Sequence, residues 1–272
     1  MIIDSHTHIG NNEILNFSVD ELLKSMDNAN IDKALVYAAP MFGISNDDLI
    51  KNIANHRDRL YPVFTFSLVE RSKAYDLFSR THNNKLFKEL TIDKAAEHNA
   101  VGIKFYTCYD KFYPHDVEEI IRLNNNSLKL PIIFHCGDTY SKCKNAKLKY
   151  GMPIDIDDLA TDFPETKFVI AHLGFPFINQ TAAVLLKNKN VYADTSGFVY
   201  GKFSAKERIS FWECLNKIQG IVGNLDQIVF GSDAPISSQK SYIEMLSEFK
   251  CNNNLSGLEH FSSTAQSVFN IK

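Results

Sequence analysis

The chain has 272 residues, of which 44% are hydrophobic and 22% charged, and its formal net charge is −3. This is the composition of an ordinary globular protein of one or two domains, without the blocks of like charge used to bind nucleic acids or membrane surfaces. No apolar run approaches the roughly 18 residues of a membrane-spanning helix, so we expect neither nucleic acid nor membrane as a partner.

The five cysteines lie far apart, at positions 108, 136, 143, 214 and 251, and no CxxC pair occurs. An odd number without close pairs argues against a disulfide framework or a zinc ribbon and favours reduced thiols. The first predicted strand begins at Ile2, which leaves no room for a signal peptide. We therefore expect a cytoplasmic protein.

Strand patterns alternate with helix patterns along the whole chain. The predicted strands cover residues 2–8, 34–38, 61–68, 101–106, 132–135, 168–172, 191–194 and 228–233. The predicted helices cover 18–29, 46–56, 72–99, 114–124, 179–187, 204–218, 240–249 and 259–269, with a short one beginning at Asp155 or Asp157. Ser18, paired with Glu21 in a capping box, and Asn46 are the expected N-caps of the first two helices.

This alternation predicts an α/β fold with a parallel sheet, and eight units in this length predict a closed (β/α)8 TIM barrel. We expect a single domain over residues 1–272. The competing architecture is an open doubly wound sheet, which would carry a glycine-rich phosphate turn after the first strand. The sequence has no such turn there.

His6 and His8 are the first candidate metal ligands. Residues two apart on a strand share a face, so the two imidazoles point the same way. Further polar residues follow at the ends of later predicted strands, namely His135, His172 and Asp233. A TIM barrel places its active site at these carboxyl ends. Alternation along the strands predicts that all five side chains face the barrel axis without straining their strands.

Three imidazoles and one carboxylate are a typical ligand set for zinc or a similar divalent ion, with a position left for water. Such an ion lowers the pKa of bound water from about 15.7 towards 7 and so produces a nucleophile at neutral pH. Cys136 adjoins His135, but alternation turns its side chain away from the axis. On the fourth predicted strand, Lys104 and Tyr106 point inward and are candidate substrate-binding residues.

Several segments together resemble the amidohydrolase superfamily, in the amidohydrolase-related branch that includes aminocarboxymuconate semialdehyde decarboxylase and related hydratases and lactonases. The matching segments, in family order, are IIDSHTHIG (2–10), VGIKFY (101–106), IIFHCGD (132–138), AHLGFP (171–176) and VFGSDAP (229–235). The resemblance implies that His6, His8, His135 and Asp233 bind the metal. It implies that His172 orients or deprotonates the reacting water, or binds a second ion, and that Asp233 doubles as the proton acceptor.

Two positions depart from the family pattern, since Ala234 stands where an aromatic residue is frequent and Phe175 replaces a common glycine. Both changes reshape the pocket rather than remove its chemistry. Some members carboxylate a lysine at the end of the fourth strand to bridge two ions. For Lys104 this competes with binding a substrate carboxylate and with a structural ion pair. Members are often homodimers, which leaves a homodimer open for this chain.

Two further acids have two interpretations each. Asp4 either orients a ligand histidine or bonds a neighbouring loop, and Asp194, at the end of the seventh strand, is equally open.

The leading functional hypothesis is a metal-dependent hydrolase that cleaves a C–O or C–N bond of a small organic molecule. The first alternative is a metal-dependent, non-oxidative decarboxylase in the same fold, which would need a cationic or aromatic clamp for its acid. A TatD-like nuclease would place a glutamate where this chain has Lys104 and would show a more basic surface. A barrel that binds metal without catalysis is the remaining alternative.

Overall fold

Eight parallel strands follow one another around a barrel in chain order in the computed structural model, which describes residues 1–66, 92–251 and 256–272. They are β1 (Ile3–His8), β2 (Lys33–Tyr37), β3 (Leu60–Thr65), β4 (Gly102–Phe105), β5 (Ile132–Phe134), β6 (Phe168–Ile170), β7 (Val191–Asp194) and β8 (Ile228–Val229). The ring closes where the Asp233 backbone N–H donates to His6 O (2.8 Å) and the His8 N–H donates to Ala234 O (2.7 Å). The predicted (β/α)8 barrel is confirmed, whereas a single domain over 1–272 stays a prediction.

Helices cover the outside of the barrel. They are α1 (Val19–Ala29), α2 (Asn46–Ile53), α3 (Thr107–Asp110), α4 (Glu118–Asn126), α5 (Ile156–Asp162), α6 (Ile178–Lys187), α7 (Ala205–Val222), α8 (Gln239–Glu248) and α9 (Gly257–Phe269). Of the helix predicted over 72–99, residues 72–91 lie outside the described part, and 92–97 are helical. No helix in the described ranges is both long and apolar enough to cross a bilayer.

The capping box of Ser18 and Glu21 is confirmed, but the predicted cap of α2 is wrong. Ser45, in extended conformation, accepts from the backbone N–H of Asp48 and is the N-cap. Asn46 instead bonds the backbone of Thr65 in β3 with both ends of its amide, at 2.9 Å each. A serine hydroxyl satisfies the free N–H groups of the first turn, which leaves Asn46 available to fasten α2 to the barrel.

Side chains from the strands form an inner and an outer apolar layer. The inner cluster includes Ile3, Leu35, Tyr37, Val63, Ile133, Val169, Ala171 and Val229. The outer cluster under the helices includes Ile103, Phe105, Ile132, Phe134, Phe168 and Ile170, and also Cys136, as predicted. The alternation predicted for β4 therefore holds, because Ile103 and Phe105 on either side of Lys104 face outward.

An irregularity in β1 aims the two histidines. Asp4 is opposite Ala34 and Thr7 is opposite Val36, so β1 has one more residue than β2 between these pairs. An extra residue reverses the alternation of side chains beyond it. Ile3 can therefore lie in the inner cluster while His6 and His8, an odd number of residues later, also reach the barrel interior.

Asp4 joins β1 to the segment that carries Asp233. Its buried carboxyl group accepts from the Ser232 backbone N–H (2.9 Å), the Ser232 hydroxyl (2.6 Å) and the Gln239 amide (2.8 Å). Burial raises its pKa to about 6, against the effect of these hydrogen bonds. The backbone N–H of His6 also donates to Asp4 Oδ1 at 3.2 Å, so Asp4 contacts both the neighbouring loop and the backbone of a candidate ligand.

We predict that Asp4→Ala lowers the free energy of unfolding by about 3 kcal/mol, because it leaves several buried donors without an acceptor. Urea unfolding followed by circular dichroism measures the change. Asp27→Ala is the control, since the exposed side chain of Asp27 forms an ion pair with Arg59 whose loss costs under about 1 kcal/mol. Equal destabilisation by the two variants would contradict the role given to Asp4.

Candidate metal and active site

A pocket opens at the carboxyl ends of the strands and holds about 560 Å³ of space free of protein atoms, part of it continuous with solvent. Six predicted site residues line it, namely His6, His8, Tyr106, His135, His172 and Asp233. Lys104 is absent from the described lining. The rest of the wall comes from loops and short helices that follow the strands: Met41, Phe42, Tyr109, Asp138, Thr139, Tyr140, Phe175, Gly197, Tyr200 and Ile236.

The ring of His6 contacts Asp194, Tyr37 and the Ser196 hydroxyl, whose oxygen lies 3.0 Å from His6 Nδ1. Its Nδ1 lies 2.9 Å from Asp194 Oδ2, and its face stacks on Tyr37 with ring centroids 4.2 Å apart. A carboxylate only accepts, so Nδ1 carries the hydrogen and Nε2 keeps its lone pair. Burial lowers the pKa of His6 well below its usual value, so the ring stays neutral. This is the carboxylate–histidine arrangement that orients a metal ligand.

The free Nε2 of His6 faces a cluster of electron-pair donors. Asp233 Oδ1 lies 3.7 Å from His6 Nε2 and 3.2 Å from His8 Nε2, and all three side chains are buried. One nitrogen or oxygen from each residue lies within 4.8 Å of the others. Zinc bonds of about 2.0–2.1 Å in a tetrahedron separate neighbouring ligands by roughly 3.3 Å, close to these separations.

The donor set therefore fits a divalent cation. A neutral imidazole lone pair beside a carboxylate oxygen is repulsive unless a proton or a cation lies between them. Because His6 keeps its proton on the side of Asp194, a cation is the partner that this arrangement suits. His6, His8 and Asp233 could hold such an ion.

His135 lies beside this cluster, but both of its ring nitrogens contact other groups. Its Nε2 lies 2.9 Å from the carbonyl oxygen of Asp138, which can only accept, so Nε2 carries the hydrogen. Its Nδ1 lies 3.1 Å from His172 Nε2. Burial, and then the charge of Lys104, lower the pKa of His135 to about 3, so the ring is neutral. The structure thus groups three of the four predicted ligands, and a ligand role for His135 stays a prediction.

His172 reaches the pocket through an unusual backbone turn. The predicted strand 168–172 ends at Ile170, and His172 and Leu173 have φ values of 61° and 50°. Ile170 faces outward, and regular alternation would turn His172, two residues later, outward as well. The left-handed turn instead brings His172 into the pocket. Asp233 also has a positive φ, 66°. The expectation that every candidate faces the axis without strain is wrong for these two residues, since left-handed backbone costs about 1–2 kcal/mol each.

Asp194 joins the two halves of the site. Besides His6, its carboxylate accepts from the backbone N–H of His172 (2.9 Å) and that of Ser196 (3.0 Å). The Ser196 hydroxyl contacts Asp194 Oδ1 and lies 2.8 Å from His172 Nδ1. Asp194 therefore contacts both His6 and His172, as the interpretation that it orients a ligand histidine predicts. Ser196 was not predicted, and only its position two residues beyond a strand end could have suggested it.

We predict that Asp194→Asn weakens zinc binding about 10- to 100-fold, because the amide offers one acceptor oxygen to several donors and sets an NH2 group against the rest. Competition with a chromogenic chelator measures the affinity. Asp158→Asn, an exposed site on α5, makes the same charge change away from the site and should leave the affinity as it is. An unchanged affinity in Asp194→Asn would contradict this role.

Lys104 is fully buried inside the barrel, and its Nζ has no hydrogen-bond partner among the described residues. The ammonium lies 5.4 Å from the ring centre of Tyr37 and 5.5 Å from that of Tyr106. Burial lowers the pKa of Lys104 to about 8. Tyr106 reaches the pocket wall and donates its hydroxyl to Ala38 O at 3.0 Å.

Comparisons with known proteins agree with this geometry. A family model described as Amidohydrolase matches residues 3–251. A search of curated proteins finds no match to the chain.

Among solved structures, an uncharacterised TIM-barrel protein from Bordetella bronchiseptica is 14% identical, with a TM-score of 0.72, and the match covers 99% of this chain and 98% of that one. A zinc-bound amidohydrolase from Burkholderia multivorans is 13% identical, with a TM-score of 0.65 and 100% of both chains covered. The 5-carboxyvanillate decarboxylase of Novosphingobium aromaticivorans, complexed with manganese and a nitrobenzoic acid, is 12% identical, with a TM-score of 0.67, covering 100% of this chain and 96% of that one. At such identities the likeness shows a shared fold.

Proposed function

Because the chain belongs to the amidohydrolase family, and is an enzyme, we propose that it is a hydrolase that uses a divalent metal ion to cleave a C–O or C–N bond of a small ester, lactone or amide. The observation that carries the proposal is the buried group of His6 Nε2, His8 Nε2 and Asp233 Oδ1, with the Nδ1–H of His6 donated to the Asp194 carboxylate. Zinc suits two imidazoles and a carboxylate, and His135 stays a predicted fourth ligand.

The bound ion would make a water acidic enough to attack at neutral pH and would polarise the carbonyl of the substrate. The carboxylate of Asp233 accepts the proton that this water loses as its oxygen bonds to the carbonyl carbon. The same proton passes to the leaving oxygen or nitrogen when the C–O or C–N bond breaks. We assign to His172 the orientation of the reacting water. Its Nε2 lies 3.1 Å from His135 Nδ1 and its Nδ1 lies 2.8 Å from the Ser196 hydroxyl, so His172 must exchange one of these contacts for the water.

Decarboxylation of a small carboxylic acid is the second candidate, and the likeness to a decarboxylase complexed with manganese favours it. The pocket wall supplies aromatic side chains that could clamp the acid of a decarboxylase, but its described lining supplies no cationic clamp. Lys104 was the inward cation suited to that task, and it is missing from the described lining. A nuclease has the same difficulty, since the pocket wall offers no described cation for a phosphate backbone.

A substrate screen on the zinc- and manganese-loaded enzyme separates the two. We expect turnover of esters, lactones or amides, with one oxygen of ¹⁸O-labelled water found in the product acid. Release of CO₂ from aromatic acids, without hydrolysis of any ester, lactone or amide, would overturn the hydrolase proposal and establish the decarboxylase.

A further inference from the structure

The pocket wall beyond the proposed metal ligands is aromatic and carries no positive charge. It includes Phe42, Tyr106, Tyr109, Tyr140, Phe175 and Tyr200. Apart from Asp233, its one charged group in the described lining is the carboxylate of Asp138, and no Lys or Arg is found there. An anionic group of the substrate, held away from the metal, would thus meet no described cationic partner in this wall.

Two lysines bear on this picture. Lys104 is 0% exposed and absent from the described lining, so it offers no direct contact to a ligand, although its charge lowers the pKa of His135. Lys142 is exposed, and its Nζ lies 3.4 Å from the carbonyl oxygen of Ile14 and 5.8 Å from the ring centre of Tyr140. Because Lys142 is exposed, solvent screens its charge.

Three aromatic side chains form a seat at the mouth. Tyr140 contacts Phe42 and Tyr200, with ring centroids 6.3 Å and 5.7 Å apart. Tyr200 is 56% exposed, so it offers an open ring to an incoming molecule. Aromatic rings bind other rings by stacking and edge contacts, and they attract cations to their faces.

Asp138 places a carboxylate beside this seat. The Asp138 carbonyl oxygen accepts a hydrogen bond from His135 Nε2, and Asp138 Oδ1 accepts one from the Thr139 backbone N–H at 2.7 Å. The side chain is otherwise exposed at the rim. It can accept a hydrogen bond from an amide, hydroxyl or ammonium group of a ligand, and it repels a carboxylate.

We propose that the substrate is a ring-bearing ester, lactone or amide whose ring carries no negative charge, with the ring seated among Phe42, Tyr140 and Tyr200. The inference rests on the proposed function for the position of the reacting group at the metal. It adds that neutral and cationic ring substituents are accepted and that a carboxylate on the ring is rejected. The physical reason is that a ring carboxylate would lose water on binding without gaining a cationic partner in the wall, which costs free energy.

Metal-binding hydroxamates test this without any turnover. The probes are benzohydroxamates that carry a para carboxamide, a para aminomethyl or a para carboxylate group, titrated calorimetrically into the zinc-loaded protein. We expect the carboxylate to bind about tenfold or more weakly than the carboxamide, and the aminomethyl compound to bind at least as tightly as the carboxamide. A carboxylate that binds as well as the carboxamide would overturn the inference.

Two variants assign the effect to the wall. Asp138→Asn keeps the acceptor for the Thr139 N–H and should reduce the ratio of the carboxylate Kd to the carboxamide Kd about threefold. Asp158→Asn should leave this ratio at its wild-type value. Tyr140→Leu should weaken benzohydroxamate relative to acetohydroxamate about two- to tenfold, because the small probe has no ring to seat. The assignment would be refuted if Asp138→Asn kept the wild-type ratio of carboxylate to carboxamide affinity and Tyr140→Leu kept the wild-type ratio of benzohydroxamate to acetohydroxamate affinity.

The outcomes separate the inference from the function beneath it. Preference for the uncharged probe in a protein that hydrolyses nothing would sink only the hydrolase proposal. Hydrolysis combined with preference for the carboxylate would sink only the inference. If none of the probes bound the zinc-loaded protein, both would fall, because both need a pocket anchored on the metal.

Discussion

Asp233→Asn is expected to lower kcat/KM at least about a thousandfold while leaving the fold intact. Asparagine has nearly the same shape, but it cannot accept the proton of the attacking water and it is a poor ligand for a hard cation. Loss of a positioned general base costs about 10²–10⁴ in rate, and here the same change also weakens the metal site. The backbone N–H of Asp233 still donates to His6 O, so the barrel stays closed.

Steady-state kinetics on the best ester, lactone or amide, with zinc in excess, measures this loss. Asp158→Asn is the matched control and should keep wild-type activity. Thermal unfolding shows whether the variant is folded. Undiminished turnover by folded Asp233→Asn protein would refute the role of Asp233 as proton acceptor and ligand.

His6→Gln is expected to weaken zinc binding at least about a hundredfold. The variant removes His6 Nε2, the nitrogen that Asp194 orients toward the cluster by accepting from Nδ1–H. Of the three grouped donors, His8 and Asp233 remain. Two ligands from one protein hold zinc poorly, because the usual sites supply three or four. Activity at limiting zinc should fall in proportion and recover in part when zinc is raised.

Competition with a chelator gives the affinity, and His115→Gln is the matched control. His115 is mostly exposed and its ring contacts only neighbouring surface groups, so its loss should leave zinc affinity unchanged. Equal affinities of wild type and His6→Gln would remove His6 from the ligand set.

Much of the fold was predictable because buried parallel strands leave a strong pattern. Apolar runs such as 34–38 and 132–134 are typical of strands covered on both sides, and eight predicted strands in order indicate the barrel. The strand-end rule also located most of the pocket, since six of the seven predicted site residues line it. The exception is Lys104, whose inward direction was right but whose depth a strand pattern cannot reveal.

The aim of individual side chains was less predictable, because it depends on local departures from regular strands. The extra residue in β1 and the left-handed backbone at His172 and Asp233 are held by bonds to distant residues, such as that from the His172 N–H to Asp194. A sequence pattern does not show such bonds. Asn46 is a similar case, because its bond to Thr65 is a tertiary contact.

The aromatic mouth was outside the reach of strand patterns. Tyr140 and Tyr200 belong to loops that meet only after folding, and nothing in their local sequence indicates a shared pocket. Loops at the carboxyl ends of barrel strands determine specificity, so the substrate had to be argued from the assembled wall.

Metal content of the purified protein tests the central claim most directly. Protein expressed with added zinc, freed of loose ions by gel filtration, is analysed by plasma mass spectrometry. The cluster of His6, His8 and Asp233 predicts one tightly held divalent ion per chain. A fully folded protein that retains no divalent ion would contradict the metal site and the hydrolytic mechanism built on it.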